Sequence, residues 1–410
     1  MTHASPISSR PWRALCALAM IAALVAGCGG GTDSGVGGGG TGSPLSFSQG
    51  PITGFGSIIV HGVHFDDTPA TVVDDDGNTL ANTQALRLGT VVDVQGGAIA
   101  NDAATASAIH VHVDLVGPVT AAYNATAGQL AVLGQPVRVL STTALDGFSG
   151  GAAAIAVGST VAVSSLYDNA TGVYVATRID PAPNAPRFAI RGAPSAIDTT
   201  GDTFTIGGVV FSYGNVAPPA TFAVGDLLRA VLATSKDSHG RWVVTAFGQA
   251  RPTLPDGRRG GVQGVVSKST DATHFVVNGV TVDASHATVT PTGATIGVQA
   301  RVEVQGTVTA GVLVATSVHV DAKDDGDDDD GNAGGNGDQG RFEIDGPVLT
   351  LDTAHMTLTM RGPTTVNYAM ATFGGGGKVA DLAVGKQIEV RGNLSADGSQ
   401  VIATQIKFGH

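Results

Sequence analysis

Arg301-Val302-Glu303-Val304 and Gln387-Ile388-Glu389-Val390 alternate polar and apolar side chains. A period of two is the mark of a strand with one face buried and the other in water. Phe275-Val276-Val277 and Val280-Thr281-Val282 flank Asn278-Gly279, a pair suited to the two positive φ angles of a type I′ hairpin turn. These pieces predict short strands joined by tight corners.

The pieces return in one order, and repetition on this scale governs the whole reading. The cleanest copy runs Gly264-Val265-Val266, HFVVNGVTVD from His274 to Asp283, IGVQARVEVQG from Ile296 to Gly306, and LVATSVHVD from Leu313 to Asp321. Opening glycines at 54, 117, 192, 264 and 346 mark five copies. His61-Gly62, Gly134, Gly207-Gly208 and Gly362 take the hairpin corner, and Gly89, Gly158, Gly225, Gly297 and Gly385 precede the next strand. The predicted repeats are 50–114, 115–181, 187–250, 260–321 and 341–410, with 322–340 as an acidic Asp/Gly linker. An open sheet of five or six short strands leaves edges exposed, and closure into a barrel removes them. The predicted fold is therefore all-β, a tandem array of about five small OB-like β-barrel repeats, with a two-sheet sandwich as the alternative. Domains of about 60 residues are marginal alone, so neighbouring barrels are expected to pack on each other. Residues 341–408, beyond the linker, are expected to form an independent barrel.

Ahead of the repeats, Arg10 and Arg13 precede an apolar run from Ala14 to Ala26. The run is shorter than the roughly 20 residues of a spanning helix and has the layout of a secretory signal. It ends in Val25-Ala26-Gly27-Cys28, which resembles a bacterial lipobox. That resemblance implies a signal peptide over 1–27 and a diacylated Cys28 as the first mature residue. Gly29 at the next position implies, by likeness to Gram-negative lipoproteins, export to the outer membrane. Residues 28–49 read as a flexible Gly/Ser tether. Cys16 is the other cysteine and lies within the signal, so no disulfide is expected.

Composition narrows the classes further. The chain has 410 residues, 59 of them Gly, with 14% charged and 5% aromatic. Glu occurs only at 303, 343 and 389, and the other 31 acids are Asp. Asp, Gly and Thr are poor helix formers, which excludes a helical bundle. Hydrophobic content of 42% excludes wholesale disorder. A formal charge of −12 argues against nucleic acid, whose phosphates require clustered Lys and Arg.

Tandem copies of GxITGFGSIIVNGVxFD, VGxxVEVxG and LVATxI behind a lipobox resemble the bacterial lipoproteins built from domain of unknown function 5666. Gly50-Pro51-Ile52-Thr53-Gly54-Phe55-Gly56-Ser57-Ile58-Ile59-Val60 follows the first motif closely, with His61 where Asn is usual. The resemblance covers residues 50 to 408. It implies OB-like barrels and an envelope location, and it carries over no catalytic residue.

The most distinctive polar feature is the Asp run Asp324, Asp325, Asp327, Asp328, Asp329 and Asp330. Carboxylates suit Ca²⁺. Neither Gly326 nor Gly331 can serve as the EF-hand glycine, because Lys323 or Gly326 then falls on a ligand position. The run reads first as a solvated linker and second as a weak cation site. Asp74-Asp75-Asp76-Gly77 is read the same way, as a hairpin loop. His110 and His112 share one face of the last strand of repeat 1, two residues apart, a spacing that suits Zn²⁺ or Cu²⁺. His319 and Arg178 stand close to the same place in other copies, so the preferred reading is an exposed polar face. Gly147-Phe148-Ser149-Gly150-Gly151 fits G-x-S-x-G without the strand and helix of a nucleophile elbow. Gly377-Lys378 lacks the Ser or Thr of a phosphate loop, and Glu303 and Glu389 read as outward strand charges. No catalytic constellation and no cofactor motif emerges. The expected function is non-catalytic binding or scaffolding at the membrane, through the lipid anchor, toward a polysaccharide, a peptide or an envelope protein. The alternative is a metal-responsive periplasmic protein using the Asp run or the His pair.

Overall fold

The computed structural model describes residues 46–81, 86–169, 171–220, 222–250, 254, 256–320, 342–362 and 364–409. Cys28, the 1–27 signal and Asp324, Asp325, Asp327, Asp328, Asp329 and Asp330 lie outside the described residues. Among the described residues there are strands and two short 3₁₀ turns, Gly151–Ala154 and Val379–Asp381, and no α-helix.

Repeat 4 shows the plan. Its opening strand, Arg259–Ser269, pairs antiparallel with His274–Val277 on one side and with Arg301–Thr309 on the other. The hairpin partner Val280–Asp283 runs parallel to the last strand, Val312–Val320. Val312–Val320 pairs in turn with Arg301–Thr309, and the ring closes. This strand order, first-second-third-fifth-fourth, makes a small OB-like barrel with no open edge in the ring. The same closure recurs in repeat 1, repeat 2, repeat 3 and repeat 5.

Two sequence features make the ring possible. Asn278 and Gly279 have φ of 48° and 81°, and His61-Gly62, Leu133-Gly134 and Gly207-Gly208 repeat this pair of positive angles. The glycine ending VEVQG is a bulge. The ladder between the fourth and fifth strands slips at Gly306, and a Cβ there would lie 2.1 Å from the Val314 carbonyl oxygen. Gly96 and Gly392 slip at the same place, bending their strand around the barrel.

The barrels are fused, not strung out. Repeats 2 and 3 share one hydrophobic core, from Leu115 to Val244. Repeats 1 and 5 share a second, from Ile52 to Ile406, and repeat 4 has its own. Repeat 5 therefore packs into repeat 1 instead of standing alone beyond the linker. Opening strands make the joints. Residues Ser46–Gln49 run parallel to Arg259–Val262 of repeat 4. These four residues read from sequence as tether, but Phe47 is only 1% exposed and its burial holds them in the sheet. His61 explains its departure from Asn here, since its ring fills the space between Gly50 and Gly261. Asn278, by contrast, donates within its own repeat, to the Gln263 carbonyl at 2.7 Å.

Repeat 1 meets repeat 5 through Gly54, which pairs with Glu343. Arg361, at the repeat 5 corner, donates to both oxygens of buried Asp67. A Cβ on Gly54 would lie 2.3 Å from the Glu343 carbonyl oxygen, an approach that only backbone movement relieves. Gly54→Ala should cost about 1–3 kcal/mol, and a thermal melt should show it as a lower transition.

Candidate functional site

The opening, fourth and fifth strands are neighbours in register, so each barrel carries a row of three side chains across one face. In repeat 1 the row is Gln49, Asp93 and His110. In repeat 4 it is Gln263, Glu303 and His319, and in repeat 5 Asp345, Glu389 and Lys407. Repeat 3 departs, with Arg191 and Arg229 ahead of Gly248. This is the face that alternation assigned to water. In repeats 1 and 3 it is covered, because the arginines of repeat 3 meet Asp75, Asp76, His112 and Asp114 of repeat 1.

Asp75 stands at the junction. Asp74 Oδ1 accepts the backbone N–H groups of Asp76 and Asn78, at 2.9 and 2.8 Å, and shapes the turn that carries it. Instead of lying in solvent, the Asp75 side chain is 4% exposed. Its Oδ1 is bonded by Arg191 Nη2 and by His112 Nδ1, the latter at 2.8 Å. Its Oδ2 accepts the Val113 N–H at 3.0 Å and lies 3.6 Å from Arg229 Nε. His112 Nε2 lies 2.8 Å from Asp93 Oδ2. Arg191 also reaches Asp114 at 3.2 Å and donates to the Ala250 carbonyl at 2.8 Å. Ser165 of repeat 2 donates its hydroxyl to Asp114 at 2.5 Å. Asp76 takes Arg229 at 2.9 Å and Arg187 at 2.8 Å. Three repeats are thereby tied by one buried ionic network.

The protonation states follow from these distances. Burial raises the Asp75 carboxyl, but Arg191, His112 and Arg229 outweigh it and hold Asp75 far below the usual carboxylate range. Burial lowers His112, yet the Asp93 carboxylate and the bonds to Asp75 and Asp93 push it up to about 9. His110 moves down, through its own burial and the charge on His112. Burial raises Asp114 against the pull of Arg191.

His110 and His112 do come together, and with Asp75 they can bring three ligand atoms within 4.8 Å of one another. The position that a cation would take is already bordered by Arg191, whose Nη2 lies 3.1 Å from His112 Nδ1. The fixed guanidinium and the protonated imidazole oppose a second cation there. Zn²⁺ titrated into the protein at neutral pH should leave its melting temperature unchanged, and a rise of several degrees would contradict this assignment.

Arg178 is likewise no surface residue. It is 2% exposed, donates to the Leu88 carbonyl of repeat 1 at 3.0 Å, and pairs with Asp146 at 2.7 Å. Ser149 of the G-x-S-x-G segment sits in a turn ahead of the Gly151–Ala154 3₁₀ turn. Glu389 lies between Arg391 and Lys407, at 2.9 and 3.3 Å.

Beside the network opens a cleft of about 280 Å³ to which repeats 1 to 4 all contribute, among them Gln49, His112, Asp114, Tyr167, Arg191 and Phe275. Gln49 is 4% exposed, and its side-chain oxygen has no hydrogen-bond partner. Sequence reasoning passed over Gln49. The signal available was its place directly before Gly50, as Gln263 stands directly before Gly264 in repeat 4.

The family described as Domain of unknown function (DUF5666) matches residues 49–110, 116–180, 263–319 and 345–407. The third barrel falls between matched segments and has the same strand order. A search of curated proteins finds no match. Among solved structures, drosophila Unr CSD456 aligns at 11% identity over 54% of this chain and 97% of that chain, with a TM-score of 0.13. A likeness that low carries no argument.

Proposed function

The chain belongs to the domain of unknown function 5666 family, and on that premise we propose a non-catalytic binding protein of the cell envelope. Its ligand is a polysaccharide, a peptide or an envelope protein, taken up in the cleft where four repeats converge. One observation carries the reading. The buried charged groups at the cleft, His112, Asp114 and Arg191, are held in ion pairs, and His112, raised to about 9, is protonated at neutral pH and is not a general base. Such a surface holds its shape and recognises. The lipobox ending in Cys28 supports anchorage in the outer membrane of a Gram-negative bacterium. A metal-responsive role ranks second, since Arg191 already occupies the flank of the Asp75, His110 and His112 cluster.

Cys28→Ser should abolish partition of the expressed protein into detergent phase while leaving its β circular dichroism intact. Recovery of the mutant in the detergent phase would refute the anchor. The same unlipidated chain, screened on polysaccharide and peptide arrays, should retain one ligand class. Retention of neither, together with turnover of an ester, glycoside or phosphate substrate, would replace binding with catalysis.

A further inference from the structure

We propose that the cleft binds a neutral sugar residue, read by the side-chain amide of Gln49. The proposal rests on the binding function above and names its ligand.

Gln49 is held in the strand Ser46–Pro51, and its buried carbonyl oxygen has no donor. An unsatisfied buried acceptor costs about 1–3 kcal/mol, a cost that a ligand donor would relieve. An amide offers one acceptor and two donors on adjacent atoms. A sugar hydroxyl donates a hydrogen bond and so answers the unpaired oxygen.

The electrostatics favour an uncharged ligand. Asp114 and Arg191 neutralise each other at 3.2 Å. His112 is shared between Asp75 and Asp93, each at 2.8 Å. Exposed Lys268 and half-buried Asp226 add one charge of each sign. The buried charges are thus already paired among themselves, and His274 at the rim faces Asp271 and Asp283. Tyr167 and Phe275 also line the cleft, and aromatic rings suit the C–H face of a sugar.

The backbone argues against an extended peptide, which binds by adding a strand to a free sheet edge. Ser46–Pro51 lies between Val91–Gly96 and Arg259–Ser269. His274–Val277 lies between Arg259–Ser269 and Val280–Asp283. Phe188–Gly192 lies between Leu228–Lys236 and Leu115–Asn124. Each of these three strands has a partner on both sides.

The test is calorimetry on the full chain with neutral probes: cello-, malto- and N-acetylglucosamine oligosaccharides, and uncharged tetrapeptides in parallel. At least one oligosaccharide should bind. Gln49→Leu should weaken that binding roughly tenfold or more without lowering the melting temperature, because it removes an unsatisfied polar group. If Gln49→Leu does not fold, the side-chain NH₂ resonances of Gln49 in the unmodified protein should still shift on adding the sugar. Sugar binding that leaves Gln49 unaffected in both measurements overturns the site. Tetrapeptide binding without sugar binding overturns the ligand and leaves the binding function standing. Binding of neither class up to about 10 mM overturns the proposal, and the array screen then decides the broader function separately.

Discussion

Asp75→Ala should destabilise the protein by about 3–5 kcal/mol, the usual consequence of deleting one partner from a buried ion pair. The carboxylate is the shared acceptor of Arg191 and His112 and faces Arg229. Its loss leaves three cationic groups crowded at the joint between repeats 1 and 3. Arg191 keeps Asp114 and Arg229 keeps Asp76, so the lower half of that range is expected. Denaturant melts would measure the loss, and Asp75→Asn, which keeps the shape, should recover little of it. A wild-type melt for Asp75→Ala would show that the network is solvated in solution.

The second large effect is a dependence on pH with opposite slopes at its two ends. His112 titrates near 6.5 when unfolded and at about 9 when folded. Its contribution is complete below pH 6.5 and is lost as pH rises toward 9. At about 1.4 kcal/mol per pH unit, on the order of 3 kcal/mol is at stake. Asp75 behaves oppositely. Its folded value lies below the ordinary 3.8, so its contribution is present above that pH and fades as acid is added. Stability should peak between about pH 4 and 6.5. Melting temperatures across pH 3 to 10 would trace both slopes, and His112→Gln should flatten the alkaline one.

Both effects arise at contacts between repeats, which the sequence conceals. Period-two alternation and the Asn278-Gly279 corner are local properties, so the strands, the repeats and the barrel closure could be read directly. Alternation says which side of a strand faces the barrel interior, but not what covers the outside. For that reason His112, Arg178 and Asp75 read as surface residues in the sequence, although each is buried against a neighbouring repeat. Variation at the His110 position looked like tolerance. At the neighbouring positions of the row the difference is complementarity, since Arg191 and Arg229 of repeat 3 pair with Asp75, Asp76 and Asp114. The pairing of repeats 1 and 5 was hidden because nothing in either sequence marks the distance at which they meet. Gln49 was hidden because an orphan amide exists only once its surroundings are known.

The shared core of repeats 1 and 5 also sets an order of events. Repeats 2 and 3 line theirs from one run of chain, Leu115 to Val244. Repeat 1 must wait for partners near Phe342 to Ile406, almost three hundred positions later. Contacts that distant slow folding, and synthesis from the amino end leaves the first barrel half-lined until the fifth emerges. A chain interrupted anywhere before repeat 5 would leave Phe55 without Arg361 and Gly362, which pack against its ring. The fold thereby acts as a check on completeness: the barrel made first is the last to become safe from proteases and aggregation.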